Sequence, residues 1–448
     1  MTTKNVRAHA YDILERVRDG AYSHLLVNDV IEKQRLSAED AGLLTELVYG
    51  VLKQRPALDF YMTPFLKQKP SALDRRIQTI LQLSLYQMAF LDRIPNRAAI
   101  HEGVNLAKAN GRKGLSGMVN GVLRNADRKG LPDPETIQDE WRRKEVQTGH
   151  PVWLLQLWAN MFGKETAFEA AYCNLKKAPV TLRTNTLQQS REALQEILNE
   201  EGVATSFGKL APEALITASG QPAKTEAFAS GRFSIQDEAS MLCARALDPK
   251  PGMQVLDACA APGGKALHLM EWMQDEGFVT ASDLHATKLP LIHEQAERLG
   301  LTSFALLPRD ARQLSNDFAE GAFDRVLVDA PCSGLGVIRR KPEIKAYPDS
   351  SHLKEFPPLQ EEILHEAAKL VKPGGRLVYS TCTLNSEENE AVVKKFLHEA
   401  PGWKLEEDLA EKLGLQADAK KRTMAGAVTI LPQDAGSDGF FIASLFKE

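Results

Sequence analysis

The sequence predicts an α/β protein: a doubly wound, mostly parallel sheet over residues 241–448, preceded by an all-α domain over 1–135 and a small α+β segment over 146–240. Three observations carry this expectation. Apolar residues recur at helical spacing near the start, short apolar runs alternate with helical stretches after residue 251, and two of those runs end in cysteine-bearing signatures. A chain of 448 residues is also longer than one ordinary domain.

In the first third, Val6, Ala10, Ile13, Leu14 and Val17 fall three and four apart, as do Leu43, Leu44, Leu47, Val48 and Val51, and then Ile77, Ile80, Leu81, Leu85 and Met88. Ser37, with Asp40 three positions on, has the pattern of a capping box opening the second of these helices. Gly20, Arg55-Pro56 and Ile94-Pro95-Asn96 read as breaks between helices. Residues 1–130 hold 20 Lys and Arg against 13 Asp and Glu, a net of +7; the whole chain is −4, so the remainder carries −11. A basic module joined to an acidic one fits a nucleic-acid attachment, and fits equally a solvated helical surface.

Between 146 and 240 helical patterns (Trp153 to Phe162, Arg191 to Gly202) alternate with strand-like runs at Val180 to Asn185 and around Leu215-Ile216-Thr217. This reads as a compact α+β module or as an extension of the next domain. From 251 onward strands are expected at Gln254 to Asp257, Phe278 to Asp283, Phe304 to Leu307, Arg325 to Asp329 and Arg376 to Ser380, with helices between them. A closing pair, Val428 to Leu431 and Phe440 to Leu445, flanks the turn-rich 433–439. Such a final hairpin separates a methyltransferase-type sheet from a dehydrogenase-type one.

With 43% hydrophobic and 25% charged residues the composition is that of a soluble globular chain. No stretch nears the roughly 18 apolar residues of a membrane helix, and the start lacks a signal peptide's apolar core, so a cytoplasmic location and no membrane partner are expected. The five cysteines (Cys173, Cys243, Cys259, Cys332, Cys382) are odd in number and include no Cys-x-x-Cys pair, so neither a disulfide framework nor a metal site is expected. Thiol chemistry remains open.

Cys332 lies in Val328-Asp329-Ala330-Pro331-Cys332-Ser333-Gly334 and Cys382 in Val378-Tyr379-Ser380-Thr381-Cys382-Thr383, each behind an apolar run. In an open α/β sheet ligands gather at such strand ends. A lone cysteine is as readily a small core residue, but two placed alike weigh against that for both. Val255 to Lys265 is a strand, a small-residue loop and a helix start, which offers free N–H groups and close backbone approach. The loop has neither dinucleotide nor P-loop glycine spacing, so a cofactor without a pyrophosphate fits better. Asp283 and Asp310 close successive strands, where carboxylates can hold an adenosine-shaped ligand or simply cap a turn.

These segments resemble the bacterial ribosomal RNA cytosine-5 methyltransferases of the Sun/RsmB family. The likeness spans Asp257 to Lys265, Asp329 to Gly334, Thr381-Cys382 with Glu387-Glu388-Asn389, Phe233 to Ser240 and Asp438 to Phe441. Leu43 to Leu52 and Val119 to Asn125 resemble the family's NusB-like N-terminal domain. The resemblance implies a Rossmann-like class I methyltransferase sheet, S-adenosyl-L-methionine as cofactor, and 16S ribosomal RNA, free or in an assembling subunit, as partner of a monomer. It implies that Cys382 adds to C6 of cytosine, that Cys332 serves release, and that Asp329 meets the base edge, the cofactor, or both. Cys259, Ala260, Ala261, Pro262, Gly263, Gly264 and Lys265 would line the methionine part, Asp283 the ribose and Asp310 the adenine, with Lys265 also near the base. Independently of the resemblance, Arg339-Arg340-Lys341 follows Cys332 closely and reads as a phosphate contact near the site, the alternative being a solvated surface run. A base paired inside a helix is out of reach for this chemistry, so an unpaired or flipped target is implied. Ala258, Ala266 and Thr383 to Ser386 depart from the usual family pattern without touching an implied catalytic group.

Overall fold

The computed structural model describes residues 5–415 and 424–448. The chain divides into two compact units: Met1–Leu175 together with Arg340–Asp349, and Lys176–Arg339 together with Ser350–Glu448.

The first unit is helical: α1 (Val6–Arg18), α2 (Ser23–Gln34), α3 (Ala38–Met62), α4 (Arg75–Phe90), α5 (Asn96–Ala109), α6 (Ser116–Lys129), α7 (Glu140–Thr148), α8 (Val152–Phe162) and α9 (Lys164–Leu175). The side chains of Asn5, Ser37, Asp74 and Asp139 accept from the first-turn N–H groups of α1, α3, α4 and α7, satisfying donors that the helix cannot pair internally. The apolar stripes read from the sequence close on one core, with Leu14, Leu44, Leu47, Val48, Ile77 and Leu81 wholly buried. Gly50 is required there, because a Cβ at that position would lie 2.0 Å from the Tyr86 ring. The expected break at Arg55-Pro56 does not occur: Pro56 sits inside α3, which runs on to Met62. Burial of Ala57, Leu58 and Met62 on the far side of the proline offsets its missing N–H.

The second unit holds two sheets. The smaller is antiparallel, in the order β2-β3-β1-β4, built from β1 (Val180–Thr184), β2 (Thr205–Phe207), β3 (Ala214–Thr217) and β4 (Phe233–Ile235). Helix α10 (Arg191–Glu200) buries Leu194 and Leu198 in a core with Leu182, Leu215 and Phe233. The sequence anticipates β1 and β3; the three-residue β2 and β4 are too short to show a period. After α11 (Glu226–Ala229) and α12 (Glu238–Leu247) comes the larger sheet: β5 (Gln254–Asp257), β6 (Phe278–Asp283), β7 (Phe304–Pro308), β8 (Phe323–Asp329), β9 (Val371–Thr381), β10 (Trp403–Leu405), β11 (Ala427–Ile430) and β12 (Phe440–Lys447).

Its order is β10-β12-β9-β8-β5-β6-β7, with β11 paired to β12. Strands β5 to β9 are mutually parallel, and β12 enters antiparallel beside β9, from Phe441 opposite Thr381 to Phe446 opposite Arg376. This is the Rossmann-like methyltransferase sheet the sequence predicts. Helices α13 (Gly264–Trp272) and α14 (Leu289–Leu299) share one apolar layer, and α15 (Phe356–Lys369) and α16 (Glu390–Glu399) share another, as a sheet covered on both faces requires. From β5 the chain steps outward through β6 to β7 and then returns to β8 on the other side. The strand order therefore reverses between β5 and β8, whose carboxyl ends form the crevice where such sheets bind ligands.

Candidate active site

At that reversal Asp257 ends β5 and Asp329 ends β8, with Leu327 in register with Asp257 and Ser380 in register with Asp329. The Ser380 hydroxyl donates to Asp329 Oδ1 at 2.8 Å and the Lys265 ammonium to Oδ2 at 2.8 Å. Burial opposes the charge on Lys265, but the Asp329 carboxylate outweighs it and holds the ammonium's pKa above its ordinary value. Lys265 also lies over the Phe440 ring, 5.2 Å from its centroid.

The two signature cysteines, fifty positions apart in the chain, meet here. Sγ of Cys332 is 3.5 Å from Sγ of Cys382, and both side chains are partly exposed. The hydrogen bond shared with Cys382, followed by burial and by the nearby carboxylates of Glu388 and Asp329, pushes the Cys332 thiol well up. The other cysteines are not poised in this way. Burial pushes Cys243 up to about 12 and Cys259 well above the ordinary thiol value, and Cys173 is buried in α9 of the helical unit.

The loop between β5 and α13 is shaped from both sides. Gly263 adopts φ +107° at the helix start, where a Cβ would also meet Ile292 at 2.9 Å, so no other residue fits. Asp283, at the end of β6, accepts from Ala261 N–H through Oδ2 at 3.1 Å and from His285 N–H through Oδ1 at 2.8 Å. Asp310 caps the short turn of 3₁₀ helix that follows β7 and is held by the guanidinium of Arg312, which keeps its pKa below the usual range. Asp257 is 1% exposed, and its Oδ2 has no hydrogen-bond partner among the described residues, whereas Oδ1 receives the Cys259 N–H. Burial, then the charge of Asp329, raises its pKa to about 7.

Of the residues singled out in the sequence, the structure brings together Cys332, Cys382, Asp329 and Lys265 directly. Cys259 to Gly264 and Asp283 surround the adjoining loop, and Asp310 stands one strand further out. Arg339 does not fit its expected part: its guanidinium is buried and donates to the carbonyls of Lys176, Lys177 and Gly436, so it is not available to phosphate. The sequence places Asp257 at the head of the family-like segment and Ser380 inside the Cys382 signature but gives neither a role of its own; the structure sets Ser380 on Asp329 and buries Asp257 beside it.

Comparison with known proteins gives the chain's family. The family model described as 16S rRNA methyltransferase RsmB/F matches residues 244–446, the NusB family model matches 4–128, and an RsmF/B-like ferredoxin-like domain matches 150–224. The chain is 45% identical over 452 residues to the probable ribosomal RNA small subunit methyltransferase B of Bacillus subtilis, covering 100% of both chains. It belongs to the RsmB/F family of 16S rRNA methyltransferases. The ribosomal RNA small subunit methyltransferase B of Pseudomonas putida is 35% identical, with 92% of each chain covered. Among solved structures, PH0851 covers 100% of both chains at TM-score 0.84 and 26% identity. NSun6 from Pyrococcus horikoshii, with SFG, covers 66% of this chain and 98% of its own at TM-score 0.58 and 25% identity. As an RsmB/F family member the chain is an S-adenosylmethionine-dependent RNA methyltransferase in class. Among the described residues no helix is long and apolar enough to cross a membrane.

Proposed function

We propose that this protein transfers a methyl group from S-adenosyl-L-methionine to C5 of an unpaired cytosine in 16S ribosomal RNA, through a covalent bond between Cys382 and C6 of the base. The observation that carries the reading is the 3.5 Å approach of Cys332 and Cys382 beside the Lys265–Asp329–Ser380 cluster. C5 of cytosine is a weak nucleophile, and adding a thiolate at C6 moves electron density onto it. A methyltransferase acting on an amine or hydroxyl would need neither cysteine.

The residues around the β5–α13 loop suit the cofactor. The open glycine backbone and the unpartnered, buried Oδ2 of Asp257 suit the ammonium end, Cys259 to Lys265 would line the methionine part, and Asp283 and Asp310 would face ribose and adenine. When bound, S-adenosylmethionine supplies an electrophilic methyl carbon at C5.

In the protein's own part of the reaction, Cys382 adds to C6 as the thiolate, while the hydrogen bond to Cys382 and burial favour the thiol form of Cys332. Asp329, its two oxygens oriented by Lys265 and Ser380, accepts from the N4 amino group and steadies the added ring, while the Lys265 ammonium balances the charge. Once C5 is methylated, Cys332, its own proton passed to solvent, takes the C5 proton as thiolate; the C5–H electron pair forms the C5=C6 double bond, the C6–S bond breaks, and Cys382 leaves as thiolate. Three modules, 1–135, 146–240 and 241–448, divide the work in this reading, the first two gripping RNA around the target. Action on rRNA places the enzyme in the cytoplasm.

The test is a denaturing gel of Cys332→Ala protein incubated with protein-free 16S rRNA and S-adenosylmethionine. A slow-migrating protein–RNA band that disappears in the Cys332→Ala/Cys382→Ala double variant is the expected result. Normal methylation by Cys382→Ala alone would overturn the covalent reading.

A further inference from the structure

The approach of the two thiols has a physical cause outside the thiols themselves. Glu388 lies between β9 and α16 and is wholly buried. Its carboxylate accepts from four donors on three segments. Oε2 receives the backbone N–H of Ser333 at 2.9 Å and the side-chain amide of Gln360 at 3.1 Å. Oε1 receives the Ser333 hydroxyl and the side-chain amide of Asn385 at 2.9 Å. No Lys or Arg among the described residues forms an ion pair with it, so these donors, all neutral, compensate the loss of water around the charge.

Each donor is tied to one of the cysteines. Ser333 follows Cys332 in the chain, and Asn385 lies three residues after Cys382. Gln360, from α15, also donates to the carbonyl of Pro331 at 2.9 Å, fixing the residue before Cys332. A chain of hydroxyls joins the loops a second time: Leu335 N–H donates to Thr383 Oγ1 at 3.3 Å, Thr383 can donate to Ser333 Oγ at 2.7 Å, and Ser333 donates to Glu388. Gly336 N–H reaches the carbonyl of Cys382 itself at 3.0 Å. The Tyr379 hydroxyl holds the Glu388 carbonyl at 2.6 Å, so the carboxylate's own backbone is anchored to β9.

We propose that Glu388 is a positioning residue: it sets the register of the Cys332 loop against the Cys382 loop and so fixes the distance between the two thiols. It touches neither sulfur. Its work is to hold one carboxylate between the two loops, where a donor in place of an acceptor would face the Ser333 N–H or the Asn385 amide. The catalytic consequence rests on the two-thiol reading above: with the loops out of register Cys382 still adds to the base, but Cys332 no longer meets the C5 proton.

Two measurements on the full chain test this. The first needs neither RNA nor cofactor: the rate at which the thiol oxidant diamide links Cys332 to Cys382, two thiols being oxidised to a disulfide as the diazene is reduced to its hydrazine, followed by peptide mass analysis. Wild-type protein is expected to close quickly. Glu388→Gln, and Ser333→Ala as a smaller perturbation should Glu388→Gln fail to fold, are expected to close about tenfold more slowly at an unfolding midpoint near wild type, with Glu388→Asp in between. The second is the RNA adduct gel, in which Glu388→Gln is expected to accumulate adduct as Cys332→Ala does. Wild-type cross-linking rates in both Glu388→Gln and Ser333→Ala would overturn the proposal. Absence of adduct from Cys332→Ala would instead overturn the covalent mechanism, and the cross-linking rates would still decide the role of Glu388.

Discussion

At the scale of single residues, the site works by holding protons where ordinary solution values would not. Cys332 keeps its proton because its hydrogen bond to Cys382 and its burial both disfavour the thiolate. A release step that needs this thiolate must speed up as pH rises, since the fraction of base in the right form grows with pH. Wild-type protein quenched during turnover is therefore expected to hold more RNA adduct at about pH 6.5 than at about pH 8.5. Equal amounts at both would remove Cys332 from the role of base. Asp257 gives the complementary case in stability. Its folded pKa of about 7 stands above the ordinary 3.8, so the folded state binds a proton that the unfolded state has lost. Its contribution is fully present below about pH 4 and is lost as pH rises through 7. Asp257→Asn should thus gain on wild type in urea unfolding between those limits, by at most about 4 kcal/mol, and hold the gain above them. A difference independent of pH would mean the carboxylate is ionised throughout.

At the scale of elements, one buried ion pair ties the small sheet to α13. Arg183 of β1 is wholly buried, donates through Nε and Nη2 to both oxygens of Glu271 on α13 at 2.9 and 2.8 Å, and reaches the Gly264 carbonyl through Nη1 at 2.8 Å. Removing only the cation leaves a buried carboxylate unpaired. Arg183→Met is expected to cost about 3–5 kcal/mol, and Arg183→Met/Glu271→Leu to recover most of it, by chemical denaturation of both variants. A double variant as unstable as the single one would show that the arginine's other bonds matter more than the pair. The sequence shows β1 as a strand-like run containing one arginine, and nothing local says which way that arginine faces. Its partner lies 88 positions away. The same distinction runs through the fold. Strands β5, β6, β8 and the later part of β9 are legible because both faces are buried and the apolar run is continuous, and their strand-end residues follow from them; β7, at the sheet's edge, has no buried residue and shows only through its apolar residues. The edge strand Trp403–Leu405 and the continuation of α3 through Pro56 are decided by tertiary packing, which overrides the local signal. Arg339 reads as a phosphate ligand for the same reason: a charge run in sequence does not reveal carbonyls waiting to be capped.

At the scale of the whole molecule the charge asymmetry still asks for a use. Many arginines of the helical unit are already engaged: Arg75 pairs with Asp19 and Glu15, and Arg112 with Asp74. Those ion pairs contribute to the surface of the bundle and leave little charge for RNA. Around α5 and α6 the picture differs, for Lys108, Lys113, Arg124, Arg128 and Lys129 are all exposed, and among the described residues Arg124 and Arg128 donate to neighbouring asparagines. If this face is where rRNA is gripped, its contribution is counterion release and must show in the salt dependence of binding. The variant Lys113→Ala/Arg124→Ala/Lys129→Ala is expected to bind 16S rRNA more weakly, with the slope of log affinity against log salt reduced by about 2, near 0.7 for each lost contact to single-stranded RNA. Its turnover at saturating RNA should match wild type, because none of the three belongs to the site built on Cys332 and Cys382. An unchanged slope would make the face a solvated helical surface, and would move the RNA-binding charge of this protein to the unit that carries the cysteines.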